Sequence, residues 1–396
     1  MVLKSKYINT TLVMLLTLFY SQSTPWPKTV GLQELVVGLI LIILFSKSFF
    51  YFLFNKRINL EKIIFIYFLI FGTFLGIVNN TLRDFIRDFV PFFYLYFGIF
   101  IFYTEKLKYQ QNLARLMTFS TVIIGLVYSF RTLFHWKDSL SNLGKTFMMS
   151  PDYIAQSPSL TFSSSFLLSL SILLFIQRKR LYASIVFILG LIPLIIFFAQ
   201  VLRAPVGLVL IFFILHLLFI IKKFTIQRKV FILSFMLIFL GLFINYNYQF
   251  IESGSSLLMK KNEIVGSSGK LDEYIYAYQY FSNNLNYLIF GKGFGGLWLT
   301  PFDVKEYSFA HSILVYYYIK GGIIGFILML LLTIKLFYLN TKLMFSKNQY
   351  SQLIAFATFP TLVINCFLEP GYKTLSFSFI ILIIYLTYKV DNANHK

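Results

Sequence analysis

Several side chains in this chain could do chemistry. Arg203, in "FFAQVLRAPVGLVLIFF", has no acid nearby in sequence. A guanidinium so placed suits a phosphate or pyrophosphate, which it can grip with parallel N–H donors. Lys270, in "SSGKLDEY", offers a second cation for the same anion. Arg83 and Arg87, in "NTLRDFIRD", share a helical face at i, i+4, with Asp84 and Asp88 on the neighbouring face. An internal Asp84–Arg87 ion pair and a ligand contact both account for that pattern. His311 and Lys320 stand in "SFAHSILVYYYIKGGIIG". Alone, Arg203 reads as a headgroup anchor and His311 as a hydrogen-bonded interface residue. Glu34, Arg131 and His216 lie within or near apolar runs, where ionisable groups are costly; Glu34 and Arg131 are close enough to run ends to snorkel.

The elements that must position these residues follow from composition. Of 396 residues, 58% are hydrophobic and 13% charged, so lipid must be the solvent for much of the chain. The apolar residues fall in blocks of ~17–25, the length that crosses hydrocarbon as a helix. Crossings are expected at about 8–22, 31–53, 63–78, 89–104, 116–133, 160–176, 183–201, 205–221, 230–246, 322–340, 351–367 and 373–388. This is an all-α, polytopic transmembrane bundle of about twelve crossings, one domain over 1–396. "MVLKSK" and the run after it also resemble a signal peptide ending at "SQS", but the next crossing follows at once and the charge pattern fits a retained first helix.

Basic clusters at Lys4/Lys6, Lys56-Arg57/Lys62, Lys106/Lys108/Arg115, Arg178-Lys179-Arg180, Lys222-Lys223/Arg228-Lys229, Lys342/Lys347 and Lys389/Lys396 occupy every second loop. By the positive-inside rule both termini are cytoplasmic. The net charge of +20 therefore records topology and implies no nucleic-acid partner. The connection over 247–307 is the large outer loop, and 247–320 as a whole is read as extracytoplasmic with interfacial helices. In it, Tyr274, Tyr278 and Phe281 mark an amphipathic helix at the membrane surface. "GKGFGG" (291–296) reads as a flexible turn, since it lacks the strand–turn–helix context of a nucleotide-binding loop. A helix over 308–340 would be ~50 Å long, too much for one crossing. Gly321-Gly322 is the expected break, with 308–319 a separate outer helical piece and Lys320 snorkelling to outer headgroups. Arg203 and His311 then share one side of the membrane.

In this layout the chain resembles the O-antigen polymerase and O-antigen ligase superfamily (Wzy and WaaL). The likeness rests on Arg203 in a short turn after a mid-chain crossing, a long outer loop ending in "GKGFGG", and a histidine before a glycine-punctuated helix in "AHSILVYYYIKGGIIG". Many members carry arginine where this chain has Lys270. The resemblance implies transfer of a saccharide from an undecaprenyl-pyrophosphate carrier to a sugar hydroxyl at the outer face of a bacterial inner membrane. It implies no cofactor or metal, and no Asp/His cluster here has metal-ligand spacing. Under it, Arg203 and Lys270 stabilise the leaving pyrophosphate and His311 serves the acceptor hydroxyl as base. Arg83, Arg87 and Lys320 are further substrate contacts. The implied partners are the lipid-linked oligosaccharide, membrane lipids and a chain-length regulator. A ligase delivering finished glycan to lipid A-core uses the same donor. A lipid-linked oligosaccharide flippase also has about twelve crossings, but should carry midplane charges and lack a large outer loop. A purely structural membrane protein is the remaining expectation. The single Cys366 has no partner for a disulfide and no neighbouring histidine to activate it.

Overall fold

Long runs of Leu, Ile and Phe close their backbone hydrogen bonds within the segment, so the apolar blocks become helices. The computed structural model describes residues 2–25, 32–104, 107–135, 154–200, 202–221, 272–299 and 306–394. The helices are α1 (Val2–Gln22), α2 (Leu32–Phe54), α3 (Leu60–Asn79), α4 (Leu82–Thr104), α5 (Leu107–His135), α6 (Pro158–Ile176), α7 (Arg180–Ala199) and α8 (Arg203–Ile221). After the segment outside the described residues come α9 (Asp272–Ser282), α10 (Leu285–Phe290), α11 (Ile313–Met344), α12 (Gln349–Leu368) and α13 (Leu375–Asn394). A two-residue ladder, β1 (Trp298–Leu299) with β2 (Glu306–Tyr307), interrupts them.

Among the described residues nine helices are long and apolar enough to cross a membrane: α3 to α8 and α11 to α13. The chain is a multi-pass, all-helical membrane protein. α2 bends by 44° between Leu44 and Ser46, and the apolar part of α1, Thr11–Gln22, is shorter than the others. The expected crossing at 230–246 and Lys270 lie outside the described residues.

The bundle has two polar ends. At one, Asp88, Lys320 and Lys373 meet, and Ser376 reaches Ser157 and Tyr20. At the other, Glu61 meets Lys335 and Tyr385, and Asp391 accepts bonds from Ser346 and Ser351. The expected outer connections 79–88, 291–321 and 368–374 all come to the Asp88 end.

Two backbone features shape the Asp88 end. Gly322 has φ 62° and ψ −158°, the expected break in α11. A Cβ there would lie 2.2 Å from the Ile289 carbonyl oxygen, so only glycine lets α10 pack against the break. In α3, residues Phe68–Gly72 form a π-helical turn, and a Cβ on Gly76 would lie 2.6 Å from the Phe294 oxygen. The loop 291–296 lies directly on α3, its Phe294 N–H bonded to the Gly72 oxygen at 2.9 Å.

Three expectations are corrected here. The 291–296 loop is not a loose turn, because buried backbone bonds to Gly72, Ile319 and Lys320 hold it. The outer piece does not start at 308: α11 begins at Ile313, where the Ser312 side chain caps the Leu314 N–H. Lys320 does not snorkel; it is wholly buried. With Gly322 turning the chain back onto the loop and α4, Lys320 meets a carboxylate inside the protein before it can reach headgroups.

Candidate functional site

The site begins in the first turn of α9. Glu273, Ala277 and Phe281 recur every fourth residue and form its buried face. A buried carboxylate requires donors, and His311 supplies two. Its backbone N–H lies 3.1 Å from Glu273 Oε2, and its ring Nδ1 lies 2.5 Å from Oε1. The Glu273 side chain is 4% exposed and the imidazole 39%. An ionised carboxylate only accepts, so Nδ1 is the nitrogen that donates to Glu273. The arrangement is an imidazole held at one nitrogen with part of its ring exposed.

The segment carrying His311 is stitched residue by residue. Lys373 Nζ donates to the Ser308 oxygen at 3.0 Å, Trp298 Nε1 to that of Phe309 at 3.0 Å, and the Tyr372 hydroxyl to that of Ala310 at 2.8 Å. Ser312 Oγ donates to the Cys366 oxygen at 3.1 Å and lies 2.6 Å from the Tyr274 hydroxyl. Burial pushes the Tyr372 hydroxyl well above its usual range, so it remains a donor. Contacts from four elements thus fix a short non-helical stretch, as a positioned catalytic group needs.

Beneath it lies a buried charge cluster. Asp88 Oδ2 is 2.5 Å from Lys320 Nζ and accepts from the Gly295 N–H at 3.0 Å. Oδ1 is 3.4 Å from Lys373 Nζ, and Arg87 stands 3.6 Å from Oδ2. The Tyr316 ring faces both ammoniums, 4.1 Å from Lys373 and 5.2 Å from Lys320. Lys320 also donates to the Gly296 oxygen at 2.5 Å, and Asn80 Nδ2 to those of Lys292 and Phe294 at 3.1 Å each. Burial lowers the Lys373 ammonium to about 8, although the Asp88 carboxylate opposes the shift.

The expected site residues are distributed unevenly around this centre. Arg87 is paired with Asp84 at 2.5 Å, which favours the internal ion pair over a ligand role. Arg83 is exposed one turn away, at the same end. Arg203 begins α8, partly exposed. Phe212 stacks on Phe359 at 4.7 Å and His216 on Phe356 at 4.5 Å, so α8 and α12 run antiparallel. Helical rise then brings Arg203 level with Ile364–Leu368, the turn whose Cys366 oxygen binds Ser312. Arg203 and His311 therefore lie at the same end of the bundle. Lys320 is a structural partner of Asp88 rather than a surface contact. Arg131 is likewise no snorkelling residue: it donates to the Ser21 and Ser23 oxygens at 2.8 and 2.7 Å, where α1 ends.

Residue patterns did not single out Glu273, Asp88, Tyr372 or Lys373 for this site. For Glu273 a signal existed: its four-residue spacing to Ala277 and Phe281 puts an acid on the buried face of an amphipathic helix. Among the described residues no three His, Cys, Asp or Glu side chains converge as metal ligands. No family model, curated protein or solved structure matches the chain.

Proposed function

We propose that the chain is a glycan polymerase of the outer face of a bacterial inner membrane, using undecaprenyl-pyrophosphate-linked repeat units as donor and acceptor. In this reading the Asp88 end faces outward, both termini are cytoplasmic, and the crossings number twelve. Reporter fusions at residues 180 and 227 should read cytoplasmic and one at 265 external. The observation that carries the reading is the His311–Glu273 pair: an imidazole held at Nδ1 by a buried carboxylate, in a segment that belongs to none of the candidate spanning helices.

The reaction follows from those groups. The acceptor hydroxyl gives its proton to His311 Nε2 as its oxygen attacks the anomeric carbon of the donor. The bond from that carbon to the pyrophosphate oxygen breaks, and the electron pair leaves with the lipid pyrophosphate. Arg203 meets the developing charge, with Arg83 and Lys270 as further anion contacts. Glu273 holds the imidazolium until the proton passes to water.

Arg203→Ala and His311→Ala cells test this. Losing an electrostatic contact to the leaving group costs ~3–4 kcal/mol, or ~10²–10³ in rate. Glycan should stall at one repeat unit while lipid-linked donor accumulates, and Arg203→Lys should rescue poorly because a point charge replaces a planar fork. Long polymer retained on its carrier would instead identify a ligase. Normal ladders from both variants would overturn the reading.

A further inference from the structure

Phe309 stands out in the pinned segment. Its neighbours Ala310 and Trp298 are fully buried, yet Phe309 is 37% exposed. Its carbonyl oxygen accepts from the Trp298 indole N–H, which fixes the backbone there. The phenyl meets the His311 ring at 6.0 Å and 77°, and the Tyr307 ring at 5.5 Å and 82°. Phenyl and imidazole thus form two walls of a corner, with Tyr307 bracing the phenyl. The segment belongs to none of the candidate spanning helices.

An aromatic face carries negative charge density and is apolar. A sugar ring presents a complementary surface, a patch of slightly positive C–H groups bordered by hydroxyls. Resting on the phenyl, it would turn an edge hydroxyl toward the imidazole, whose Nδ1 is engaged by Glu273. We propose that Phe309, braced by Tyr307, is an aromatic platform that binds one pyranose ring of the acceptor saccharide and presents its hydroxyl to His311 Nε2. The acceptor role rests on the general-base reading of His311; the binding of a sugar ring does not.

The probes are methyl glycosides of glucose, galactose, mannose and N-acetylglucosamine, tested against the full-length detergent-purified protein by saturation-transfer NMR. At least one should receive saturation at its ring C–H protons. Phe309→Ala should weaken that binding about tenfold, corresponding to about 1.4 kcal/mol, with an unchanged melting temperature. Phe309→Tyr and Phe309→Trp should retain it. Failure of every probe to bind the unmodified protein, or equal binding by Phe309→Ala, would overturn the platform. The two readings separate cleanly. Phe309-dependent binding with normal glycan ladders from both Arg203→Ala and His311→Ala would sustain the sugar site and overturn the polymerase reading. Phe309-independent binding with a stalled His311→Ala ladder would overturn the platform alone.

Discussion

Glu61 and Asp88 are both carboxylates without exposed surface, at opposite ends of the bundle, each close to a lysine ammonium at 2.6 and 2.5 Å. Their surroundings differ. Glu61 is shared by Lys335, which is 31% exposed, and by the hydroxyls of Tyr385 and Tyr103. It joins α3 to α4, α11 and α13, and among the described residues its side-chain partners all lie on helices. Asp88 binds two buried ammoniums and a loop N–H, and its lysines go on to hold the backbone at Gly296 and Ser308. One carboxylate staples helices; the other transmits α4's position to the segment bearing His311. A buried ion pair is weak evidence of stability by itself. What distinguishes the two is where their partners' second bonds lead.

The largest expected effect is at Asp88. Asp88→Asn leaves two buried ammoniums without their counter-charge, a loss of ~3–5 kcal/mol. Melting in detergent should fall steeply and glycan extension should stop. Adding Lys320→Met should recover melting more than extension, because the Gly296 tie stays broken. Equal recovery of both would reduce Asp88 to a second staple.

Next comes Glu273→Gln, which removes charge but little volume. Extension should slow by ~10²-fold, within the usual worth of positioned acid–base catalysis, while melting changes little. A large melting loss with normal extension would make the His311 pair structural.

Glu61→Gln sharpens the contrast from the other side. It should cost ~1–3 kcal/mol, since partly exposed Lys335 can turn toward water, and extension should continue. Stalled extension in a stable Glu61→Gln protein would break the comparison.

The smallest effect is one of pH. Lys373, facing Asp88, Lys320 and Arg87, is lowered by burial to about 8, below its ordinary value of 10.5. Between those values the unfolded chain holds a proton that the folded one has released, so stability rises with pH. Melting should climb gently from pH 8 to 10 and be flatter in Lys373→Met. A fall over that range in the unmodified protein alone would contradict the assignment.

Much of the helical layout is readable from sequence because hydrophobic length is local information. The break at Gly321-Gly322 and the Asp84–Arg87 pair were readable for the same reason. The hub was not. In "NTLRDFIRD" Asp88 looks like a neighbour for Arg87, while Lys373 lies 285 residues further on. No local spacing joins such positions. Lys320 was misjudged by the same locality: next to a glycine pair at a helix end, it looks like a headgroup anchor until α4 supplies Asp88.

The ties from Tyr372 and Lys373 to residues 308–310 set a chronology for manufacture. A ribosome delivers His311 some sixty residues before the turn at 370–373 that clamps it. Throughout that interval the imidazole-bearing stretch is unclamped on one side. On the proposed reading the site is complete only once the last hairpin is in place, so a nascent chain still in the insertion machinery would be spared premature chemistry. A chain halted before Pro370 should integrate yet leave 306–311 open to protease, where the full-length protein resists.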